Sequence, residues 1–256
     1  MNPNGLATAR FKGHYSLGDD EVHVWRASLN SSALDAAGLK LILSSDERER
    51  AARFYFEVDR RRCVVGRGYL RLLLGDILNL PANSLRFEYD EFGKPRLTPA
   101  QEQRLRFNVS HSGDLLLIAM TRGRATGVDV EEIRSDFDLE GVAARFFSTN
   151  EHKTLTLLAG PGRYQAFFTC WTRKEAYLKA RGDGLSLPLD QFDVSVLPDE
   201  EARLLETRHD PRETERWMLL PVSVPAGYVA TVAAEGFSWK LKCWDWPPAL
   251  SSQISS

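Results

Sequence analysis

The chain has 256 residues, enough for one large domain or two modest ones with an adequate core. Its 33 basic and 35 acidic residues nearly cancel, which argues against bulk binding to nucleic acid or to a membrane surface. Three widely spaced cysteines, Cys63, Cys170 and Cys243, offer no disulfide framework and no metal-ligand spacing. No apolar run approaches the ~20 residues of a membrane span. The N-terminus, Met1 to Arg10, lacks the apolar stretch of a secretory signal. The expectation is a soluble, cytoplasmic protein.

Residues 1–20 are polar and read as a loose lead-in. Glu21 to Trp25 alternates and predicts a strand with Val22 and Val24 on one face. Ser44 or Ser45 caps a helix whose apolar side is Ala51, Ala52, Phe54 and Tyr55. Asp59 caps a second helix running to about Leu78. Gly66-Arg67-Gly68 lacks the third glycine and the leading strand of a dinucleotide loop, so it reads as a site of close helix packing. Arg48, Arg50, Arg53, Arg60, Arg61, Arg62, Arg67 and Arg71 crowd this stretch. They can hold a phosphorylated ligand, or they form the solvated face of two helices.

Leu85 to Tyr89 predicts a short strand and Asp90 to Pro95 a turn. Leu105 to Val109 and Leu115 to Thr121 are strands joined by Ser110-His111-Ser112-Gly113-Asp114. Ala125 to Glu131 is the next strand. Leu139 to Phe147 is a helix, and Asn150 caps another that begins at Glu151. A long amphipathic helix spans Arg163 to Ala180 and stops at Gly182 and Gly184. Strands follow at Phe192 to Val196, Trp217 to Val222, Tyr228 to Ala234 and Lys240 to Trp246, and then a disordered tail over 247–256. Helices and strands mix without strict βαβ alternation, so the fold class is α+β, with a natural division near Arg122-Gly123-Arg124.

The chemistry concentrates in Gly127-Val128-Asp129-Val130-Glu131. A strand's period of two puts Asp129 and Glu131 on one face and the valines on the other. Hard oxygen donors at this spacing suit Mg²⁺, and an edge strand with a solvated acidic face is the alternative. Trp171, Glu175 and Lys179 stack on one helix face, so Glu175 can supply a third carboxylate and Lys179 a cation for phosphate. A surface Glu–Lys pair worth ~0.2–0.5 kcal/mol is the plainer account. Ser110 and His111 are adjacent on an extended chain and are therefore not a nucleophile with its base. In a turn both could donate to phosphate oxygens. Lys94 is a fixed cation by the same logic. Glu151, opening a helix, either favours the helix dipole or is free to act as a general base.

These segments occur in a telling order: Gly93-Lys94-Pro95, Phe107 to Asp114, Gly127 to Glu131, Arg145-Phe146-Phe147 with Glu151, Trp171 to Lys179, and Gly182 to Leu189. In that order they resemble the Sfp-type 4′-phosphopantetheinyl transferases, with weaker similarity to cyanobacterial members at Asp20 to Trp25 and Phe237 to Trp239. The resemblance implies an internal pseudo-dimer of two similar α/β halves, residues 1–124 and 125–246, with the site in the cleft between them. It implies coenzyme A as co-substrate, with Mg²⁺ on its pyrophosphate held by Asp129, Glu131 and Glu175. Arg50, Lys94, Pro95, Ser110, His111 and Lys174 fall in the implied coenzyme A set, with Arg53 and Arg62 as supports. Lys179 would contact the pyrophosphate and assist the leaving group, His111 would share the catalytic set, and Glu151 would take the proton from a carrier serine. Glu47 stands where some relatives carry a basic residue, so Arg48 or Arg50 would have to replace it. The implied partner is an acidic, helical acyl or peptidyl carrier protein, served by a monomer with no nucleic-acid or membrane partner. Two readings compete: a Mg²⁺-dependent phosphodiester or pyrophosphate hydrolase, and a binding module without chemistry.

Overall fold

The computed structural model describes residues 16–30, 36–89, 95–102, 105–182 and 184–246. In chain order the first elements are β1 (Glu21–Ser28), α1 (Ala36–Ile42), α2 (Ser45–Ala52), α3 (Glu57–Leu78), β2 (Phe87–Tyr89), β3 (Pro95–Leu97), α4 (Pro99–Glu102), β4 (Arg106–Ser112), β5 (Leu115–Thr121) and β6 (Thr126–Glu132). Then come α5 (Leu139–Phe146), α6 (Thr149–Thr156), α7 (Gly160–Arg181), β7 (Phe192–Val194), β8 (Leu204–Thr207), β9 (Trp217–Pro221), β10 (Tyr228–Glu235) and β11 (Lys240–Trp246). The mixture of helix and sheet is the expected α+β class. Among the described residues no helix is long and apolar enough to cross a membrane.

Two sheets carry the site. The first has the order β11-β1-β5-β4 and the second β6-β10-β9. Alternation along β1 sends Val22 and Val24 into a seam between the sheets, where they meet Val128, Val130 and Val232. Trp25 and Ala27, facing the other way, enter a core under α1 and α3. β5 does the same with Leu117 and Ala119 against Leu116, Ile118 and Met120. Each buried valine or leucine of these strands contributes ~1.5–3 kcal/mol. A third core packs α5, α6 and α7 against the outer face of the second sheet.

Several boundaries differ from the sequence expectation, each for a local reason. Ser44 caps α2 in a reciprocal box with Glu47, as Ser148 does for α6 with Glu151, so Asn150 is not the cap there. α7 starts at Gly160 with Pro161 in its first turn, a position that suits proline, so the Gly-Pro-Gly run opens the helix. It ends on Gly182 at φ +84°, as expected. Gly68 admits Leu39 of α1, so it does serve close helix packing. β4 continues through Ser112, which puts Ser110 and His111 on a strand and leaves the turn to Gly113 and Asp114. α1, β3, α4 and β8 are elements the sequence reading did not contain.

β11 pairs in parallel with β1, so the last described strand lies in the first sheet, across the expected division at 124. Trp244 and Trp246 reach Trp25 there, each with ring centroids 5.7 Å apart. The lead-in before residue 16, the turn at 90–94 with Lys94, and the tail from 247 lie outside the described residues.

Candidate active site

β4 and β6 are edge strands of the two sheets, and β4 spans the gap with alternate side chains. Asn108 Oδ1 accepts from the Val128 amide at 2.8 Å, satisfying a donor at the edge. Ser110 Oγ donates to Asp129 Oδ1 at 2.9 Å, and Ser112 Oγ donates to Glu131 Oε2 at 2.8 Å. The same alternation that aligns Asp129 and Glu131 thus meets a matching row of small polar residues.

α7 closes over that row. A β-carbon on Gly127 would strike the backbone at Ala176 and Ala180, so the helix lies directly on β6. This brings in the turn carrying Glu175 and Lys179. Lys179 Nζ donates to Asp129 Oδ1 at 2.6 Å and to Ser110 Oγ at 3.1 Å. Asp129 is buried, and its Oδ2 has no hydrogen-bond partner among the described residues. Burial and the neighbouring Asp129 charge hold the carboxyls of Glu131 and Glu175 above the usual carboxylate range. Glu131 and Glu175, whose proton affinity is raised beside Asp129, form with the orphaned Asp129 oxygen a donor set that suits a hard divalent cation. In the arrangement described, the Lys179 ammonium is the cation against Asp129, and among the described residues no three acidic, His or Cys side chains already converge as a metal cluster.

Next to this node lies a cavity of about 850 Å³. α2 and α3 supply Arg50, Arg62 and Arg67 to its wall, β4 supplies His111, and α7 supplies Glu175 and Lys179. Burial, then the charges of Lys179, Arg62 and Arg67, hold the His111 pKa below its ordinary value. Arg62 is fixed by Asp114 Oδ1, with Nη2 at 2.8 Å and Nε at 3.0 Å. Pro95, opening β3, also lines the wall.

Other expected residues stand elsewhere. Arg53 is exposed and does not line the cavity. Lys174 is fully buried on the opposite side of α7. Its Nζ donates to the carbonyls of Leu189 at 2.7 Å and Phe192 at 2.6 Å and pairs with Glu151 Oε2 at 2.7 Å. Glu151 is buried as well and accepts from the amides of Ser148 at 2.9 Å and Val194 at 2.7 Å. The expectations of Lys174 as a coenzyme A contact and Glu151 as the base are therefore corrected. A carboxylate holding three donors in the core has no route to a proton in the cavity. Glu47 is withdrawn too, in a buried pair with Arg71 Nε at 2.6 Å. Arg48 donates to the Leu43 carbonyl and does not line the cavity, so of the two suggested substitutes only Arg50 reaches it.

Two contributors, Asn108 and Ser112, were given no role by the sequence reading, and Arg67 was named only among eight arginines that can hold a phosphorylated ligand or face solvent. The first two follow from extending the strand alternation back and forward from Ser110. Arg67 belongs to a helical stripe, Asp59, Arg62, Cys63, Gly66, Arg67 and Leu70, that lines the cavity at spacings of three and four.

Comparison with known proteins covers both parts of the chain. Residues 25–123 match a model described as 4′-phosphopantetheinyl transferase, N-terminal, and residues 125–233 match that of the 4′-phosphopantetheinyl transferase superfamily. The chain is 40% identical over 230 residues to the 4′-phosphopantetheinyl transferase HetI of Nostoc sp., covering 90% of this chain and 94% of that one. It is 34% identical over 172 residues to psf-1 of Bacillus pumilus, covering 67% and 72%. It is 32% identical over 170 residues to Sfp of Bacillus subtilis, covering 66% and 74%. A solved apo-ACPS structure aligns with 44% of this chain and 95% of its own at a TM-score of 0.30 and 17% identity.

Proposed function

The chain belongs to the Sfp-type 4′-phosphopantetheinyl transferases, and we propose that it moves the phosphopantetheine moiety of coenzyme A onto a serine hydroxyl of an apo acyl or peptidyl carrier protein, releasing 3′,5′-ADP. The observation that carries this reading is the node in which Lys179 Nζ bridges Asp129 and Ser110 at the edge of the cavity. The serine oxygen forms a bond to the β-phosphorus as the bond to the departing 3′,5′-ADP oxygen breaks. Lys179 is the fixed cation at that point and offsets the charge that develops on the departing oxygen. His111 donates to a phosphoryl oxygen, Ser110, its proton on Asp129, holds that carboxylate in place, and Arg62, held by Asp114, presents its charge without reorganisation.

Asp129, Glu131 and Glu175 would hold Mg²⁺, which when bound screens the pyrophosphate charge and polarises a phosphoryl oxygen. The serine proton passes to Glu175, the half-buried carboxylate that faces the cavity, in place of Glu151. A general base of this kind is worth ~10²–10⁴-fold. Because the nucleophile belongs to the partner, no nucleophile elbow is needed in this chain. An acidic, helical carrier would be steered by the exposed cations around the cavity, so its association rate falls with salt.

The two-half organisation belongs to the same proposal. The halves are residues 1–124 and 125–246, with β11 returning to the first sheet. It is supported by the valine-lined seam and by the β4–β6 bridge that joins the two sheets.

The test is incubation with coenzyme A, Mg²⁺ and an apo carrier protein. The expected result is a gain in carrier mass equal to the phosphopantetheine moiety. Release of 3′,5′-ADP with the carrier left unmodified would overturn the reading in favour of hydrolysis.

A further inference from the structure

Ser112 is the last residue of β4, and its hydroxyl holds two contacts at once. The Glu132 amide donates to Ser112 Oγ at 3.1 Å, and Ser112 Oγ donates to Glu131 Oε2 at 2.8 Å. An amide N–H can only donate, so the hydroxyl accepts there and its single proton goes to the carboxylate. The serine is half-buried on the cavity wall, yet it has no proton left for a ligand. Among the described residues, Ser112 supplies the one hydrogen bond to the Glu131 carboxylate. Asp129, two residues back on the same face, is oriented twice, by Ser110 and by Lys179.

The anchor is itself held. Ser112 faces Leu115 across the two-residue loop Gly113-Asp114. Gly113 takes φ +54°, and a glycine at positive φ in the first position is the pattern of a type II′ hairpin. A β-carbon there would lie 2.5 Å from Glu132 Oε2 and 2.7 Å from Tyr228 Oη, so the loop sits hard against β6 and β10. Beyond it, Asp114 takes two bonds from Arg62, and its carbonyl accepts from the Leu29 amide at 2.8 Å. A glutamate has more rotatable bonds than an aspartate and loses more freedom when a cation fixes it. An anchor already in place removes part of that cost, and outer-shell partners of this kind are worth about 10–100-fold in metal affinity or activity.

We propose that Ser112 is a positioning residue for the divalent cation: it holds the Glu131 carboxylate in the orientation in which Glu131 joins Asp129 and Glu175 as a ligand. It acts through Glu131 and touches neither the cation nor the nucleotide. This rests on the Mg²⁺ and coenzyme A reading of the site.

The experiment is binding of Mn²⁺, read by the fading of its free-ion electron paramagnetic resonance signal, to the full chain and to its Ser112→Ala and Ser112→Thr variants. Ser112→Ala should weaken Mn²⁺ by about tenfold or more, and Ser112→Thr, which keeps the hydroxyl, should recover most of the loss. The alanine change made in a Glu131→Gln chain should weaken Mn²⁺ no further, because Ser112 acts only through that carboxylate. In the carrier-loading assay Ser112→Ala should raise the Mg²⁺ needed for half-maximal rate and leave KM for coenzyme A at saturating Mg²⁺ in place. Unchanged Mn²⁺ affinity in Ser112→Ala, or losses that simply add to those of Glu131→Gln, overturn the proposal. So does a metal-free melting temperature that falls with the alanine, which would make Ser112 a support of the fold. Weaker metal-free binding of adenosine 3′,5′-bisphosphate would put the hydroxyl on the nucleotide and overturn it too. A chain that loads carriers with a Mn²⁺ affinity indifferent to Ser112 sinks the proposal alone. One whose Mn²⁺ site depends on Ser112 but that never modifies a carrier sinks the transferase reading alone.

Discussion

Gly127 of β6 lies directly against Ala176 of α7, with no room for a β-carbon between strand and helix. That contact sets the height at which Lys179 meets Asp129. The obstacles are the Ala176 carbonyl and the Ala180 amide, which are backbone, so rotation of a side chain cannot relieve them. Gly127→Ala should therefore lift the helix, costing about 1–3 kcal/mol of stability. Carrier loading should fall further than that loss explains, because the Glu175–Lys179 turn moves with the helix. Thermal melts beside loading assays well below the transition check this. Normal loading in the variant would show that the spacing of α7 and β6 does not matter to the chemistry.

Lys179 is the cationic partner of a buried aspartate. Lys179→Met leaves Asp129 with only the Ser110 hydroxyl, at a cost of about 1–3 kcal/mol, moderated because the lysine side chain is 28% exposed. Loading should drop by roughly 10²–10³-fold through loss of the fixed charge. Asp129→Asn combined with Lys179→Met removes the stranded charge, so the double variant should melt above Lys179→Met and remain inactive. Equal melting temperatures for the two would mean that the ion pair contributes nothing to the fold.

Glu151 and Lys174 form the buried pair that joins α6, α7 and the segment before β7. Glu151→Gln keeps the shape but strands the ammonium, and should cost about 3–5 kcal/mol. The fraction that stays folded at low temperature should still load carriers. A variant with wild-type melting and no turnover would return Glu151 to the catalytic list.

The pH dependence combines two opposite signs. His23 and His111 have lowered pKa values, chiefly through burial, so the unfolded chain protonates them first as pH falls through 6.5. Their contribution to stability is present above 6.5 and is lost from there down through the folded values. Glu131 and Glu175 are raised above 4.5, so the folded protein takes up these protons first, and acidification towards 4.5 restores stability from this pair. A divalent cation competes with those same protons. Protection against melting by Mg²⁺ should therefore be greatest at pH 8 and shrink on acidification. Glu175→Gln should show neither protection nor loading while staying folded. Undiminished Mg²⁺ protection in that variant would take Glu175 off the ligand set.

Much of the site was legible because its rules are local. Alternation along residues 127–131 alone places Asp129 and Glu131 on one face, and four-residue spacing alone places Glu175 with Lys179. The capping signals at Ser44 and Gly182 are local in the same way. Ser148–Glu151 follows the same pattern, yet its tertiary meaning stayed hidden. An acidic residue at the third position of a helix can cap and face solvent, or cap and also take a buried lysine, and only packing against α7 and β7 chooses. Glu47 and Arg71 repeat that ambiguity. The sequence by itself determined which faces carry charge, where the long helix α7 stops, and the family to which the chain belongs. The tertiary structure alone decided which charges meet, Lys179 with Asp129, Glu151 with Lys174 and Glu47 with Arg71, and that β11 pairs with β1. Periodicity specifies the direction of a side chain relative to its own backbone, whereas its partner depends on long-range register and on how closely two backbones can approach, which at Gly127 is set by the absence of a single β-carbon.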